Sequence, residues 1–489
     1  MPNDLLSGLA KPSVTTTSLD GNPPLETPAV GTTNPVKNTE HAGVEGGAFG
    51  RAGFNTPATG AGSGGTGGTN TLTSLLIGNL SSNIPQGAAA KAEKIKSLLG
   101  DDDNGKKVLS IIKACVPEEL AAVLSAIDCE KLFKTVKDHK IHLFGIGTPG
   151  SDLAAFVTND QNLPALSLPV RAALVDGMQK TDHGDVSDAA QKAITKIFTS
   201  THGKDVTALK NAIDLGDDQN NMHNLVYRSI DKKDLRAQLL AHFAAEAKAT
   251  GPSGQTKGLF DVDDTFYVNW VDNSYPKGTV YPGTVAYHRE LDLGPAADDR
   301  RGDNSFLSAR PHDHLGIDEK LTLKTVHEKG EGPVAVITGD ILHLIGNHEI
   351  AAEKIKNFNE FSPIYPEYKK VFEGDSGQGD VYVAIDVMSK HKGDMGGAFI
   401  HELPEHKTDP ALKAQAEALG VVFYETRIGQ ALAAYQQGLI SAPGLQRITN
   451  EALADFAKVD FGDDTDKQAA RKKELDRDAA LVAKELGLS

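Results

Sequence analysis

The stretch Phe260-Asp261-Val262-Asp263-Asp264-Thr265 decides the fold, because a short β-rich run at residues 258–262 ends there in a group of acids. Further β-rich runs follow at residues 305–307, 333–337, 371–373, 397–401 and 421–424, and helical patterns lie between them. That alternation is typical of an α/β protein with a parallel sheet. Ligands of such sheets bind at the carboxyl ends of the strands, so the acids mark a candidate site.

Two later strand ends carry residues of related chemistry. Phe306-Leu307-Ser308-Ala309-Arg310-Pro311 offers a hydroxyl and a guanidinium group, and Gly374-Asp375-Ser376-Gly377-Gln378-Gly379-Asp380 offers two more acids. Lys354 lies between these two segments in a helical stretch. Because the carboxyl ends of parallel strands meet at one edge of the sheet, we expect these groups to converge there.

Transfer of a phosphoryl group needs a nucleophile, a proton for the leaving oxygen, and positive charge against the phosphate oxygens. Asp261 can serve as the nucleophile and become an aspartyl phosphate. Asp263 can donate the proton and later take one from water, since clustered carboxylates raise each other's pKa. Lys354 and the Ser308 hydroxyl complete the phosphate cradle. The pattern therefore predicts a phosphatase site.

A magnesium ion is the cofactor that this set of oxygen ligands favours. The predicted ligands are the carboxylates of Asp261 and Asp375 and the backbone carbonyl of Asp263. Thr265, Arg310 and Asp380 belong to the same motifs and are secondary candidates. A lone D-x-D pair is more often a solvated turn. Here four elements follow in the order D-x-D-x-T, apolar-Ser, Lys and G-D-x-x-x-x-D, and their conjunction favours the site.

Residues 255–442 resemble the haloacid dehalogenase superfamily, and within it the catalytic domain of the actin-patch-associated phosphatidate phosphatases, with lipins as more distant relatives. Beyond the four motifs, the resemblance includes Pro282-Gly283, Gly332-Pro333, Tyr365-Pro366 and the Gly-Asp-Ser-Gly-Gln turn at residues 374–378. It implies a Rossmann-like sheet of the haloacid dehalogenase type and a magnesium-dependent phosphomonoester hydrolase. Superfamily members that only phosphorylate themselves have Thr where this chain has Asp263, so the resemblance favours hydrolysis.

The substrate is less determined than the reaction. The segment around Ser308 is closer to the lipin version of the motif, and Arg310-Pro311-His312 stands where the phosphatidate phosphatase family usually has Ser-Pro-Trp after its serine. Phosphatidate or another phospholipid is the leading substrate class by resemblance, which implies transient contact with a membrane surface and a role in lipid metabolism. The alternatives are a protein or small-molecule phosphatase of the same mechanism and a catalytically silent relative that only binds.

The spacing of the motifs favours a bulky substrate such as a lipid headgroup, whereas the charge of the segment argues against docking to a membrane. Asp261 and Ser308 are 47 positions apart, and Ser308 and Lys354 are 46 apart, which leaves no room for a large cap domain over the site. An uncapped site admits bulky substrates, including lipid headgroups. Residues 251–440, however, carry 18 Lys and Arg against 29 Asp and Glu, so a generic basic membrane-docking face is absent.

Composition divides the rest of the chain. From residue 21 to residue 70, 32 of 50 residues are Gly, Ser, Thr, Pro or Asn, which predicts a disordered leader over residues 1–90. Helical spacing of apolar residues predicts a separate all-α domain over residues 91–250. The catalytic domain is expected at 251–445 and a helical tail, used for packing or oligomerisation, at 446–489. Cys115 and Cys129 are predicted to be buried thiols, not a disulfide.

The net charge of −16 argues against a nucleic-acid partner, because nucleic acid repels such a surface. The chain has neither a membrane-spanning apolar stretch nor a hydrophobic secretion signal, which favours a cytoplasmic or peripheral membrane location. The leader resembles the secretion leaders of bacterial effectors that are delivered into host cells. A plain flexible tail is the alternative.

Overall fold

The computed structural model describes residues 85–137, 149–181, 186–216, 220–296, 304–311, 317–339 and 346–488. Residues 1–84, which make up nearly all of the predicted leader, lie outside them. The described residues form an all-parallel six-stranded sheet with helices, so the chain is an α/β protein, as the alternation predicted.

Each strand of the sheet overlaps one of the predicted runs. The strands are β1 (Thr256–Phe260), β2 (Asn304–Pro311), β3 (Ala335–Gly339), β4 (Lys369–Asp375), β5 (Met395–His401) and β6 (Val422–Tyr424). They lie in the order β3-β2-β1-β4-β5-β6, and every neighbouring pair is parallel. The chain moves outward from β1 to β3 and then crosses back to place β4 on the other side of β1. Such a reversal opens a crevice at the carboxyl ends of the two central strands, here β1 and β4.

The helices fall into two groups along the chain. Those before the sheet are α1 (Ala88–Lys96), α2 (Gly105–Lys113), α3 (Pro117–Ala126), α4 (Cys129–Thr135), α5 (Pro149–Val157), α6 (Leu168–Gln179), α7 (Asp188–Thr199), α8 (Lys204–Asp214), α9 (Met222–Asn224), which continues as a π-helical turn (Leu225–Ser229), and α10 (Lys233–Thr250). Those that follow β1 are α11 (Thr284–Leu293), α12 (Ile317–Glu328), α13 (Asn347–Phe361), α14 (Asp380–Lys390), α15 (Pro410–Leu419), α16 (Arg427–Gln436), α17 (Ala442–Phe456) and α18 (Thr465–Glu485). Among the helices that the structure describes, none is long and apolar enough to cross a bilayer.

Helix ends follow the local sequence, and α15 is a clear case. Asp409 caps its first turn by accepting hydrogen bonds from the backbone N–H groups of Ala411 and Leu412. Pro410 then occupies the first helical position, where no N–H is needed. The helix ends at Gly420, whose φ of 96° is one that glycine adopts without strain.

The sheet is buried on both faces, which explains why its strands read as nearly continuous apolar runs. Leu259 and Phe372 point into one hydrophobic cluster, while their chain neighbours Phe260 and Val371 point into another. The first cluster includes α13 and α14, and the second includes α11, α16 and α17. The C-terminal helix α18 also packs on the second cluster, through Leu475 among others.

The helical region of residues 88–250 shares the first cluster with the sheet. Its buried polar groups contact the α/β part as well: Lys210 Nζ donates to the backbone oxygen of Ile364 at 2.8 Å, and Asn221 Nδ2 donates to that of Val336 at 2.9 Å. Both cysteines are free and buried in this region, as predicted. The two regions therefore pack together, and their separation into independent domains stays a prediction.

Candidate active site

Asp261 follows β1 directly, at the crevice between β1 and β4. Its backbone N–H donates to the backbone oxygen of Glu373 on β4 at 2.9 Å, which extends the pairing of the two strands by one residue. The Thr265 hydroxyl donates to Asp261 Oδ2 at 3.3 Å. The side chain is buried, and burial raises the pKa of Asp261 to about 7, with Lys354 opposing the rise and the charges of Asp380 and Asp263 adding to it.

Lys354, on the buried side of α13, bridges two of the acids. Its Nζ donates to Asp261 Oδ1 and to Asp380 Oδ1, both at 2.6 Å. The residue is 1% exposed. Burial alone would lower the pKa of Lys354, but the carboxylates of Asp261 and Asp380 outweigh it and raise that pKa above its usual value. Lys354 is therefore held as an ammonium ion at the end of β1.

Asp375, the last residue of β4, completes a cluster of three buried carboxylates. The carboxylate oxygens of Asp261, Asp375 and Asp380 lie within 4.8 Å of one another. Asp375 Oδ1 accepts from the backbone N–H of Gly377 at 2.7 Å, while Asp375 Oδ2 is buried without a hydrogen-bond partner. Burial raises the pKa of Asp375 well above its usual value, and the charges of Asp380 and Asp261 add to that rise.

This cluster fits a divalent cation. The cluster contains one ammonium group, that of Lys354, and three carboxyl groups. Negative charge that the ammonium does not balance is costly to bury, and a bound cation would offset it. Asp375 Oδ2 is buried and has no hydrogen-bond partner, so it could serve as a ligand atom for a cation. A set made only of oxygen atoms suits Mg²⁺ better than the softer transition metals. Asp380, a secondary candidate in the sequence, belongs to this cluster as closely as Asp261 and Asp375 do.

Asp263 lies apart from the three buried acids and is half-buried. Its Oδ1 accepts from Asn269 Nδ2 at 2.6 Å. Its backbone oxygen accepts from Gln378 Nε2 at 3.4 Å, which brings that carbonyl beside the turn between Asp375 and Asp380. The predicted ligand atom and the predicted acid/base group of Asp263 thus face different partners.

Asp264 shapes the loop that carries Asp263. Its φ is 57°, a left-handed conformation that costs a residue with a side chain roughly 1–2 kcal/mol. The carboxylate accepts hydrogen bonds from the backbone N–H groups of Asn269, Trp270 and Val271, the shortest being 2.6 Å to Val271. These bonds hold residues 264–271 in a closed loop and leave the Trp270 side chain 62% exposed.

Two glycines allow the turn after β4 to close on the neighbouring helices. A Cβ atom on Gly379 would lie 2.2 Å from the backbone oxygen of Asn347, the first residue of α13. A Cβ on Gly374 would lie 2.4 Å from the Cβ of Asp380. Because these distances are too short for carbon, the glycines permit the approach of Asp380 to α13 and hence to Lys354.

Ser308 and Arg310 both lie on β2, next to β1. Phe306 pairs with Phe260, so Ser308 is two residues beyond that pair at the same edge of the sheet that carries Asp261. Ser308 is buried. The side chain of Arg310 is not among those that the structure describes, and its predicted contact with substrate stays a prediction.

Arg427 is the main residue that the sequence analysis did not select. It is buried at the start of α16, where it donates to Glu373 Oε1 and to the backbone oxygen of Thr265. A third bond goes from Nε to the Thr284 hydroxyl at 2.9 Å. It thereby ties the loop after Asp261 to β4 and α11. No sequence signal separates such an arginine from a surface one.

Comparisons of this chain with protein-family models, with curated proteins and with solved structures find no match. A functional assignment therefore depends on the chemistry and geometry of the residues themselves. The grouping of Asp261, Lys354, Asp375 and Asp380 at one end of β1 and β4 is the observation with the most chemical content.

Proposed function

We propose that the chain is a magnesium-dependent phosphomonoester hydrolase with a Rossmann-like fold of the haloacid dehalogenase type. The main support for this proposal is the contact of Lys354 with both Asp261 and Asp380. These residues lie beside Asp375 at the crevice between β1 and β4. Three acids and one lysine, from the ends of β1 and β4 and from helices α13 and α14, form a site for an anion held together with a cation. Phosphate esters bound with Mg²⁺ are the substrates that such a site suits.

In the proposed reaction, a carboxylate oxygen of Asp261 attacks the phosphorus atom and the bond from phosphorus to the ester oxygen breaks. Asp263 gives its proton to the departing oxygen, which leaves as an alcohol. Water then attacks the phosphorus of the aspartyl phosphate while Asp263 takes a proton from it. The acyl phosphate bond breaks, inorganic phosphate leaves, and both aspartates return to their first states.

The remaining residues supply charge and position. Lys354 Nζ holds Asp261 in place and carries positive charge for the phosphate oxygens, and Ser308 at the same edge offers a hydroxyl donor. Bound at Asp261, Asp375 and the backbone oxygen of Asp263, Mg²⁺ would keep Asp261 ionised and offset the charge of the phosphoryl group. The structure adds Asp380 as a group that orients Lys354.

Phosphatidate or a related phospholipid is the substrate class that we propose. The resemblance of residues 255–442 to phosphatidate phosphatases is one support. A second is Trp270, the single tryptophan of the chain, which is 62% exposed on the loop that follows Asp263. Tryptophan favours the boundary between apolar and wet surroundings, so this position suits a headgroup presented at a lipid surface.

The test compares substrates and one variant. Purified protein with Mg²⁺ should release phosphate from an aryl phosphate and, faster, from phosphatidate in mixed micelles. Asp261→Asn should lower both rates at least a thousandfold, while Asp476→Asn, on the exposed side of α18, should not. Unchanged turnover in Asp261→Asn would refute the mechanism. A tenfold preference for sugar phosphates or phosphopeptides would leave the reaction and overturn the lipid substrate.

A further inference from the structure

A second group of metal-ligating side chains lies in the helical region, away from the carboxylate cluster. His242 and Glu246 are one turn apart on α10, and His202 lies in the short connection between α7 and α8. The imidazole and carboxylate atoms of these three residues lie within 4.8 Å of one another. Two imidazoles and a carboxylate differ from the all-oxygen site, because nitrogen ligands favour Zn²⁺ and similar transition metals.

The distances within the group suit a tetrahedral ion. His202 Nδ1 lies 2.8 Å from Glu246 Oε1, and His242 Nδ1 lies 4.0 Å from the same oxygen. Two ligands bound at about 2.0–2.2 Å to a tetrahedral Zn²⁺ lie roughly 3.3–3.5 Å apart, a value between these two. Small side-chain rotations would therefore bring all three atoms to one ion without a change of backbone.

Neighbouring backbone groups already orient two of the ligands. His242 Nε2 lies 2.9 Å from the backbone oxygen of Thr201, so Nε2 carries the proton and donates it, and Nδ1 keeps a free lone pair on the side of Glu246. The backbone N–H of Gly203 donates to Glu246 Oε2 at 2.7 Å, which turns Oε1 towards the histidines. Metal-bound histidines in proteins typically have such a carbonyl partner on the second ring nitrogen.

The third ligand, His202, lies at the surface of the group. His202 has a side chain that is 67% exposed, so an ion can reach the group from solvent and His202 can move its proton from Nδ1 to Nε2 when Nδ1 binds.

We propose that His202, His242 and Glu246 form a Zn²⁺ site with a fourth position left to water. Such an ion would join the connection between α7 and α8 to α10, two parts of the helical region that are about 40 residues apart in sequence. Because the unfolded chain does not hold these three side chains together, ion binding would stabilise the folded protein. The site is independent of the proposed phosphatase chemistry.

The experiment uses the full-length protein in excess Mg²⁺, so that Zn²⁺ does not simply fill the carboxylate cluster. Zn²⁺ is titrated by calorimetry, Co²⁺ is added as a visible-absorption probe of tetrahedral coordination, and the thermal midpoint is recorded with and without Zn²⁺. Glu246→Gln keeps the size of the side chain and its acceptor for Gly203 N–H, and His202→Ala changes an exposed residue. His391→Ala, another surface histidine, is the matched control.

We expect both site variants to bind one equivalent of Zn²⁺ fewer, or to bind it at least tenfold more weakly, than the wild-type protein and His391→Ala. The rise in thermal midpoint with Zn²⁺ and the tetrahedral Co²⁺ spectrum should disappear with that equivalent. Aryl phosphate hydrolysis should be unchanged in both variants. Equal stoichiometry, affinity and midpoint shift in wild-type protein and Glu246→Gln would overturn the site, whether or not the chain is a phosphatase.

Discussion

Replacement of Lys354 by methionine tests the electrostatics of the carboxylate cluster. The substitution keeps the length of the side chain and removes the one ammonium that Asp261 and Asp380 share at 2.6 Å each. Lys354 is 1% exposed, so water cannot take its place. Breaking a buried pair by removing one partner costs about 3–5 kcal/mol, and here two charge-assisted hydrogen bonds are lost at once.

We therefore expect Lys354→Met to lower the free energy of unfolding by about 3–5 kcal/mol in chelator, measured by urea denaturation. Excess Mg²⁺ should reduce that loss, since it offsets part of the same negative charge. Hydrolysis of an aryl phosphate should fall about a hundred- to a thousandfold, the usual effect of losing one preorganised donor to a transition state.

Lys356→Met is the matched control, two residues further along α13. Lys356 is paired with Glu353 at 3.3 Å, but its side chain is 41% exposed, so its loss should cost less stability than the loss of Lys354. The two variants lose the same charge from the same helix. If Lys354→Met unfolds at the same urea concentration as Lys356→Met and keeps its turnover, the cluster is neither strained by charge nor catalytic.

Three other predictions concern the same edge of the sheet. Burial raises the pKa of Asp261 to about 7, so between about pH 4 and 7 the folded protein keeps a proton that the unfolded chain has lost. This group therefore stabilises the fold at low pH, and that stability is lost as the pH rises through 7. In chelator, Asp261→Asn should thus gain stability over wild type at pH 8, on the order of 4 kcal/mol, and the gain should vanish by pH 4. Gly379→Ala should reduce turnover at least tenfold, because its Cβ would meet the Asn347 backbone oxygen, whereas Gly332→Ala, with open space around it, should not. Trp270 emission should shift to shorter wavelength when phosphatidate micelles are added, and an unchanged spectrum would count against contact of that loop with lipid.

The strands and the acids at their ends could be predicted because both leave local signals in the sequence. Strands buried on two faces appear as short apolar runs, and the motif G-D-x-x-x-x-D places two acids across one tight turn. Asp375 and Asp380 were found in this way, and the structure brings both beside Asp261. The spacing of the motifs does not indicate which acid contacts Lys354. That contact depends on how closely α13 and α14 approach each other, and Gly379 permits the close approach because it has no Cβ atom.

Tertiary contacts of polar residues could not be predicted from the sequence. Arg427 reads as an ordinary charged residue at the start of a helix, yet it is buried and bonded to the loop after Asp261. His202 is separated from His242 by the whole of α8 and α9, so no local spacing in the sequence links these two histidines. The role of such polar residues becomes clear only from the residues that they contact in the fold. When those residues are distant in sequence, no periodic pattern reveals the contact.

The helical region, to which the sequence assigned no chemistry, supports the position of Lys354. Phe358 and Phe361, on the same helix as Lys354, pack in the hydrophobic cluster that includes α1 to α10. His223 Nε2 lies 3.0 Å from Glu360 Oε2 on that helix. Because Lys354 Nζ meets both aspartates at 2.6 Å, a shift of α13 by 1 Å would break those bonds. The packing of residues 88–250 against α13 therefore forms part of the site's construction.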